Sequence, residues 1–367
     1  MSVSVLHATA ANPSVQGSSN VLEQISKDPR LAPELERMFG TAQRNQPGYM
    51  QMVPIYAKQN PYPLAGLRDY PAPKIIKREP DAQHPTIERV YVESPAMRRV
   101  VQVQVQRAKN PQAAAPFLYL LDGVTAPQES GWLREGNVQN TLANEQVTVV
   151  MPTEALGSNY ANWQADDPTL GRMQWETFLV DELPRVLEAP GAGLRFNGSR
   201  YIGGLSMGGS AAVRLANLHP DRFKGTFGLS GCYSSTSTTG REFMNFINTS
   251  TGGNPNNMWG PGVSAERQRV DVTAHATGLR NMRVYLYTSD GEITQRDKDL
   301  ATTHVALIPT TGSVILEKMT NQCTHDLDAA MRSQGMTHQK VVYQRGGIHN
   351  WPYYAEQLPL AWKHISS

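Results

Sequence analysis

The sequence predicts an α/β fold, with a central, mostly parallel sheet covered by helices on both faces. Three observations point there. Short continuous apolar runs, the mark of strands buried on both faces, occur at 117–121 (FLYLL) and 147–151 (VTVVM). Stretches with helical spacing alternate with such runs, the pattern that builds a parallel sheet. A glycine-flanked serine, GLSMG at 204–208, stands between a strand (RYIGG) and an Ala-rich helix. With 367 residues the chain has room for two ordinary domains, or for one large α/β unit with an appendage.

The N-terminal part reads differently from the rest. Residues 1–10 (MSVSVLHATA) admit two readings: a frayed terminus, or the remnant of a secretory signal ending in an A-x-A cleavage site. A helix is predicted around 21–39, capped by Ser19 or Asn20. Residues 59–80 are dense in proline, which favours extended or turn structure. Residues 1–85 are therefore expected to form an extension strapped along the main α/β domain at 86–367.

Within that domain Val101, Val103 and Val105 alternate with glutamines, the period-2 signature of a half-buried strand. Beyond the two apolar runs, a helix is expected at 173–187, a strand at 200–203 and a helix at 209–218. Further strands follow at 226–229, 283–288 and 340–344. The stretch 236–262 carries Phe243, Met244, Phe246, Ile247, Met258 and Trp259. Two readings fit it equally: a cap over a pocket, or a helix and loop completing the core.

Composition excludes several functions. Hydrophobic residues make up 40% and charged residues 18%, enough apolar matter for a sizeable core. Lys plus Arg is 34 against Asp plus Glu 32, which removes any electrostatic case for nucleic-acid binding. No apolar stretch approaches the ~18 residues of a membrane span. Two cysteines are too few for a disulfide scaffold, and their spacing suggests no zinc site.

The chemistry centres on Ser206. In G-x-S-x-G the serine occupies a strained strand-to-helix turn that tolerates only small neighbours. The turn exposes Oγ and sets backbone N–H groups and a helix N-terminus beside a developing oxyanion. This is the nucleophile turn of the α/β-hydrolase fold, whose catalytic residues follow the order Ser, acid, His. His349, in GGIHNWPYY just past the last strand, lies where that histidine belongs; His219, His325 and His338 suit surface or capping roles better. For the acid, Asp290 and Glu317 both remain open on physical grounds, since either carboxylate could orient the imidazole. The loop after FLYLL, which begins Asp122-Gly123-Val124-Thr125, is expected to supply an oxyanion donor.

Nine segments, SPAMRR, LLDG, SGW, MP, QWETFLVDELP, GLSMGGSAA, LSG, GGNPNNMWGP and GIHNWPYY, resemble in order the mycolyltransferases of the antigen 85 family, corynebacterial enzymes included, within the wider esterase D-like group. The resemblance runs from about 88 to 362 and leaves residues 1–85 without a counterpart. It implies a secreted or envelope-bound acyltransferase of a mycolate-containing bacterium. Such an enzyme moves a mycoloyl group from trehalose monomycolate to a sugar hydroxyl through a Ser206 acyl-enzyme, with acylated glycolipids as its partners. It also implies Glu317, in a Leu-Glu pair, as the acid, and Val124 and Met207 as backbone oxyanion donors. Asp122 and Trp351 are implied near the sugar. Two positions in the same region depart from the family: Thr125 stands where antigen 85 has an arginine, and Asn350 replaces a serine. No metal or organic cofactor is required, and a monomer is expected. Hydrolysis of acyl esters on the same triad, or envelope binding without catalysis, are the competing functions.

One further expectation follows. Cys232 comes just after a strand and Cys323 lies six residues past Glu317, so both are drawn to the same edge of the sheet. In the oxidising compartment that the resemblance implies, they could be bridged.

Overall fold

The computed structural model describes residues 18–39, 63–303 and 310–367. The possible signal remnant at 1–10 lies outside them. Nine strands form one sheet: β1 (Lys74–Pro80), β2 (Ile87–Ser94), β3 (Arg99–Gln106), β4 (Ala115–Leu121), β5 (Thr148–Pro152), β6 (Phe196–Leu205), β7 (Gly225–Leu229), β8 (Arg283–Ser289) and β9 (Lys340–Gln344), in the order β1-β2-β3-β5-β4-β6-β7-β8-β9. From β5 to β9 every pairing is parallel. β1, β2, β3 and β5 pair antiparallel. The central parallel strands β4, β5, β7 and β8 are buried on both faces, so helices must cover both sides, and two apolar clusters lie on the sheet.

Six helices matter for the site: α1 (Ser18–Lys27), α2 (Ala32–Phe39), α3 (Ser206–Leu218), α4 (Thr238–Ser250), α5 (Thr310–Ser333) and α6 (Trp351–Ser366). The single helix expected at 21–39 is two. Pro29 disfavours helical geometry at Asp28, and the Asp28 carboxylate accepts the Arg30 N–H at 2.9 Å, closing a turn. α1 and α2 pack against α4 and α5, and together with the turn between them contribute Ile25, Leu31 and Met38 to the main core.

The proline-dense segment also enters the sheet. Its last part is β1, an edge strand where Pro80 can end the pairing without harm. The alternating strand β3 is buried on both faces, not on one. Its glutamines are tied down: Gln102 Nε2 donates to the Gln128 carbonyl at 2.7 Å, and Gln104 Nε2 donates to Asp81 at 2.9 Å while its Oε1 accepts from Ser130 N at 2.8 Å. Partnered amides can be buried at little cost, so alternation in polarity does not mean alternation in exposure here.

Candidate active site

Ser206 directly follows Leu205, the last residue of β6, and begins α3. Its φ is +52°, a conformation costly for any residue with a side chain. The motif glycines show why the turn demands them. A Cβ on Gly204 would lie 2.6 Å from the Gly208 carbonyl carbon, and one on Gly208 would lie 2.5 Å from both the Leu121 and Asp122 carbonyl oxygens. The ends of β4 and β6 and the start of α3 converge with no room for side chains. Gly123 lies alongside, its Cβ position 3.8 Å from Ser206 Cβ, so the loop carrying Val124 and Thr125 flanks the serine.

His349 Nε2 lies 2.8 Å from Ser206 Oγ, and His349 Nδ1 lies 2.9 Å from Glu317 Oε2. With Nδ1–H donating to the carboxylate, Nε2 is left free to accept the serine proton. Glu317 sits in the middle of α5, and its other oxygen is gripped at the ends of two strands. Oε1 accepts from Ser230 Oγ at 2.7 Å, Ser289 N at 2.7 Å, Ser289 Oγ at 3.0 Å and Thr288 Oγ1 at 3.2 Å. Burial works to raise its pKa. The bond to His349 and the donors from Ser289 and Ser230 outweigh it, and hold the carboxyl below the ordinary glutamate value. Asp290 does other work: its Oδ1 accepts from Glu292 N at 2.9 Å and Gly346 N at 3.0 Å, closing a turn.

Ser206 and His349 open on a cavity of about 270 Å³. Phe243, Phe246 and Ile247 of α4 line it, with Leu300, Leu316 and Ile348; Thr125, Asn350 and Trp351 line it as well. Within 236–262, then, α4 faces the cavity. Met258 and Trp259 are core, the indole lying between the Arg214 and Arg267 guanidiniums at 5.1 and 5.8 Å. Asn350 caps α6, its Oδ1 accepting the Trp351 N–H at 2.9 Å.

Asp122 does not line the cavity. It is 1% exposed, with Oδ2 accepting from Ser130 Oγ at 2.8 Å and Gly131 N at 3.2 Å, while Oδ1 has no partner among the described residues. Trp351 and Asp122 flank the same glycine: a Cβ on Gly131 would lie 2.3 Å from Trp351 Cζ2 and 3.0 Å from Asp122 Oδ1. Burial outweighs the two donors and pushes the Asp122 carboxyl up to about 7.

The chain has relatives among known proteins. Residues 94–365 match the Esterase family. The chain belongs to that family, alongside antigen 85. It is 30% identical to diacylglycerol acyltransferase/mycolyltransferase Ag85A of Mycobacterium ulcerans, across 74% of this chain and 78% of the relative. It is 36% identical to the MPT51/MPB51 antigen of Mycobacterium tuberculosis, across 58% of this chain and 69% of the relative. Among solved structures, Mycobacterium tuberculosis MPT51 superposes with a TM-score of 0.62 at 28% identity, covering 74% of this chain and 95% of that one. An S-formylglutathione hydrolase from Agrobacterium tumefaciens shares the fold, with a TM-score of 0.55 at 14% identity, covering 80% of this chain and 99% of that one. Helices α1 and α2 of this esterase-family chain precede the matched region.

Several features of the site carry no local sequence signal. Ser230, Thr288 and Ser289 are ordinary serines and threonines at strand ends until the sheet brings them around Glu317. Cys232 and Cys323 are bonded, with Cα atoms 4.9 Å apart. The bond links the loop after β7 to α5 less than two turns beyond Glu317. Among the described residues no group of three or more His, Cys, Asp or Glu could hold a metal ion, and no helix is long and apolar enough to cross a membrane.

Proposed function

We propose that this chain is a serine acyltransferase that moves a mycoloyl group from trehalose monomycolate to a sugar hydroxyl. The observation that carries the reading is the continuous hydrogen-bonded line Ser206–His349–Glu317, opening on an apolar cavity. In this reading His349 takes the Ser206 proton as Oγ attacks the ester carbonyl, and Glu317 stabilises the imidazolium. The N–H groups of Val124 and Met207 receive the oxyanion, each worth about 3–4 kcal/mol in the transition state. His349 returns the proton to the departing trehalose oxygen, leaving the acyl group on Ser206. A sugar hydroxyl then attacks the acyl-enzyme, again with His349 as base.

The catalytic machinery lies within 86–367, with α4 as the cap over the acyl chain. Thr125, Asn350 and Trp351 face the acceptor, while Asp122 lies buried behind the cavity lining. A secreted or envelope location fits both the disulfide and the glycolipid substrate. The experiment is a partition assay with trehalose monomycolate: trehalose dimycolate, formed with one free trehalose per acyl group moved, supports transfer, and free mycolic acid with free trehalose but no dimycolate indicates an esterase.

A further inference from the structure

The N-terminal helices bear on what the cavity can hold. α1 and α2 pack on α4 and α5, the two helices that carry Phe246 and Leu316 into the cavity wall. At the end of α2 the Phe39 ring lies against Phe246, with centroids 5.2 Å apart and planes tilted by 37°. Phe246 is 4% exposed and has the cavity on one side. Met38, next to Phe39, is buried in the same core, so α2 cannot slide away without opening that core.

We infer that the α1–α2 pair is the back wall of the acyl cavity, and that Phe39, pressed behind Phe246, sets the length of acyl chain the enzyme accepts. This deepens the proposed function by naming a chain-length limit, and it rests on that reading only for the identity of the ligand. Phe246 forms the surface that the end of the chain meets. Phe39 removes the space into which Phe246 would otherwise turn, so it acts as a positioning residue. Close-packed interiors resist such movement, and removing a backing ring leaves room for it.

The test uses the full-length chain and keeps chain-length selection separate from turnover. In a Ser206→Ala background, affinity for straight-chain fatty acids is measured by calorimetry over about six to eighteen carbons, each accommodated methylene raising affinity about fourfold. The expected profile rises and then flattens where the chain meets the wall. Phe39→Ala moves the break to chains longer by about two to five carbons, and Phe246→Ala moves it at least as far. Phe39→Trp, which crowds Phe246, moves the break the other way; it is the companion variant should Phe39→Ala fold poorly. Arg30→Ala, in the exposed turn between α1 and α2, leaves the break in place. A break that stays put in both Phe39 variants while Phe246→Ala shifts it overturns the inference. Hydrolysis of p-nitrophenyl esters by the parent chain, lost in Ser206→Ala, reports separately on the proposed function.

Discussion

Two carboxylates in this molecule are equally buried and have opposite fates. Glu317 and Asp122 are each 1% exposed, and for both burial is the largest single influence on the carboxyl. Glu317 nevertheless lies below its ordinary pKa, and Asp122 is pushed up to about 7. The difference is in the donors. Glu317 has His349 on one oxygen and four contacts from Ser230, Thr288 and Ser289 on the other. Asp122 has two donors on one oxygen and, among the described residues, none on the other. Burial raises the stakes for a charge, and the number of donors decides its sign.

The largest expected effect lies on the Glu317 side. Ser206→Ala and His349→Ala should each lower kcat by about 10⁴–10⁶-fold with unchanged circular dichroism, and the double variant should lose little more, because the residues act as a unit. Glu317→Gln should cost about 10³–10⁴-fold, since the amide favours the wrong imidazole tautomer. Asp122→Asn should leave hydrolysis of a simple p-nitrophenyl ester within a few-fold of the parent. If Glu317→Gln keeps near-full activity, the contrast between the two carboxylates has no catalytic meaning.

Stability against pH sharpens the same contrast. Asp122 titrates near 7 folded against 3.8 as its reference, so the folded chain holds a proton there that the unfolded chain has lost. Asp122 therefore destabilises the fold progressively as pH rises from about 4 to 7, and fully above that. Asp122→Asn should raise stability at pH 8 by about 2–4 kcal/mol relative to the parent, with the gain fading toward pH 4. Glu317 runs the other way: its folded pKa is lowered, so its contribution is present above its unfolded value of 4.5 and is lost as pH falls through the folded one. Urea unfolding of parent and variants at pH 4, 6 and 8 reads both trends.

The fold was largely legible because parallel strands buried on both faces leave continuous apolar runs, and FLYLL and VTVVM fall within or across β4 and β5. The serine turn was legible because its glycines answer a local steric demand. What stayed hidden depends on distance in sequence. The donors around Glu317 come from Ser230 and from Thr288 and Ser289, separated from it by 87, 29 and 28 residues. Glu317 sits mid-helix, where spacing marks no catalytic acid, so the residues alone left Asp290 equally open. The burial of Gln102 and Gln104 and the covering of Asp122 next to Trp351 likewise follow from tertiary partners.

The disulfide offers a middling effect. Replacing Cys232 and Cys323 by serine should cost about 3–5 kcal/mol for a loop of 91 residues. Because the bond lies close beyond Glu317 on α5, kcat should fall more than KM changes. Titration of the denatured, unreduced chain should find no free thiol. A smaller effect belongs to Thr125. Thr125→Arg should lower the apparent KM for trehalose in the transfer assay by supplying a cation and further donors; an unchanged value would remove Thr125 from the acceptor site.

The most direct measurement is intact and peptide mass spectrometry of the chain after brief reaction with an acyl p-nitrophenyl ester. The Ser206 peptide should gain the mass of the acyl group, the adduct should accumulate when no acceptor is present, and added sugar acceptor should discharge it into an acylated sugar. An adduct on another residue, or turnover that persists in Ser206→Ala, would contradict the assignment of Ser206 as the nucleophile.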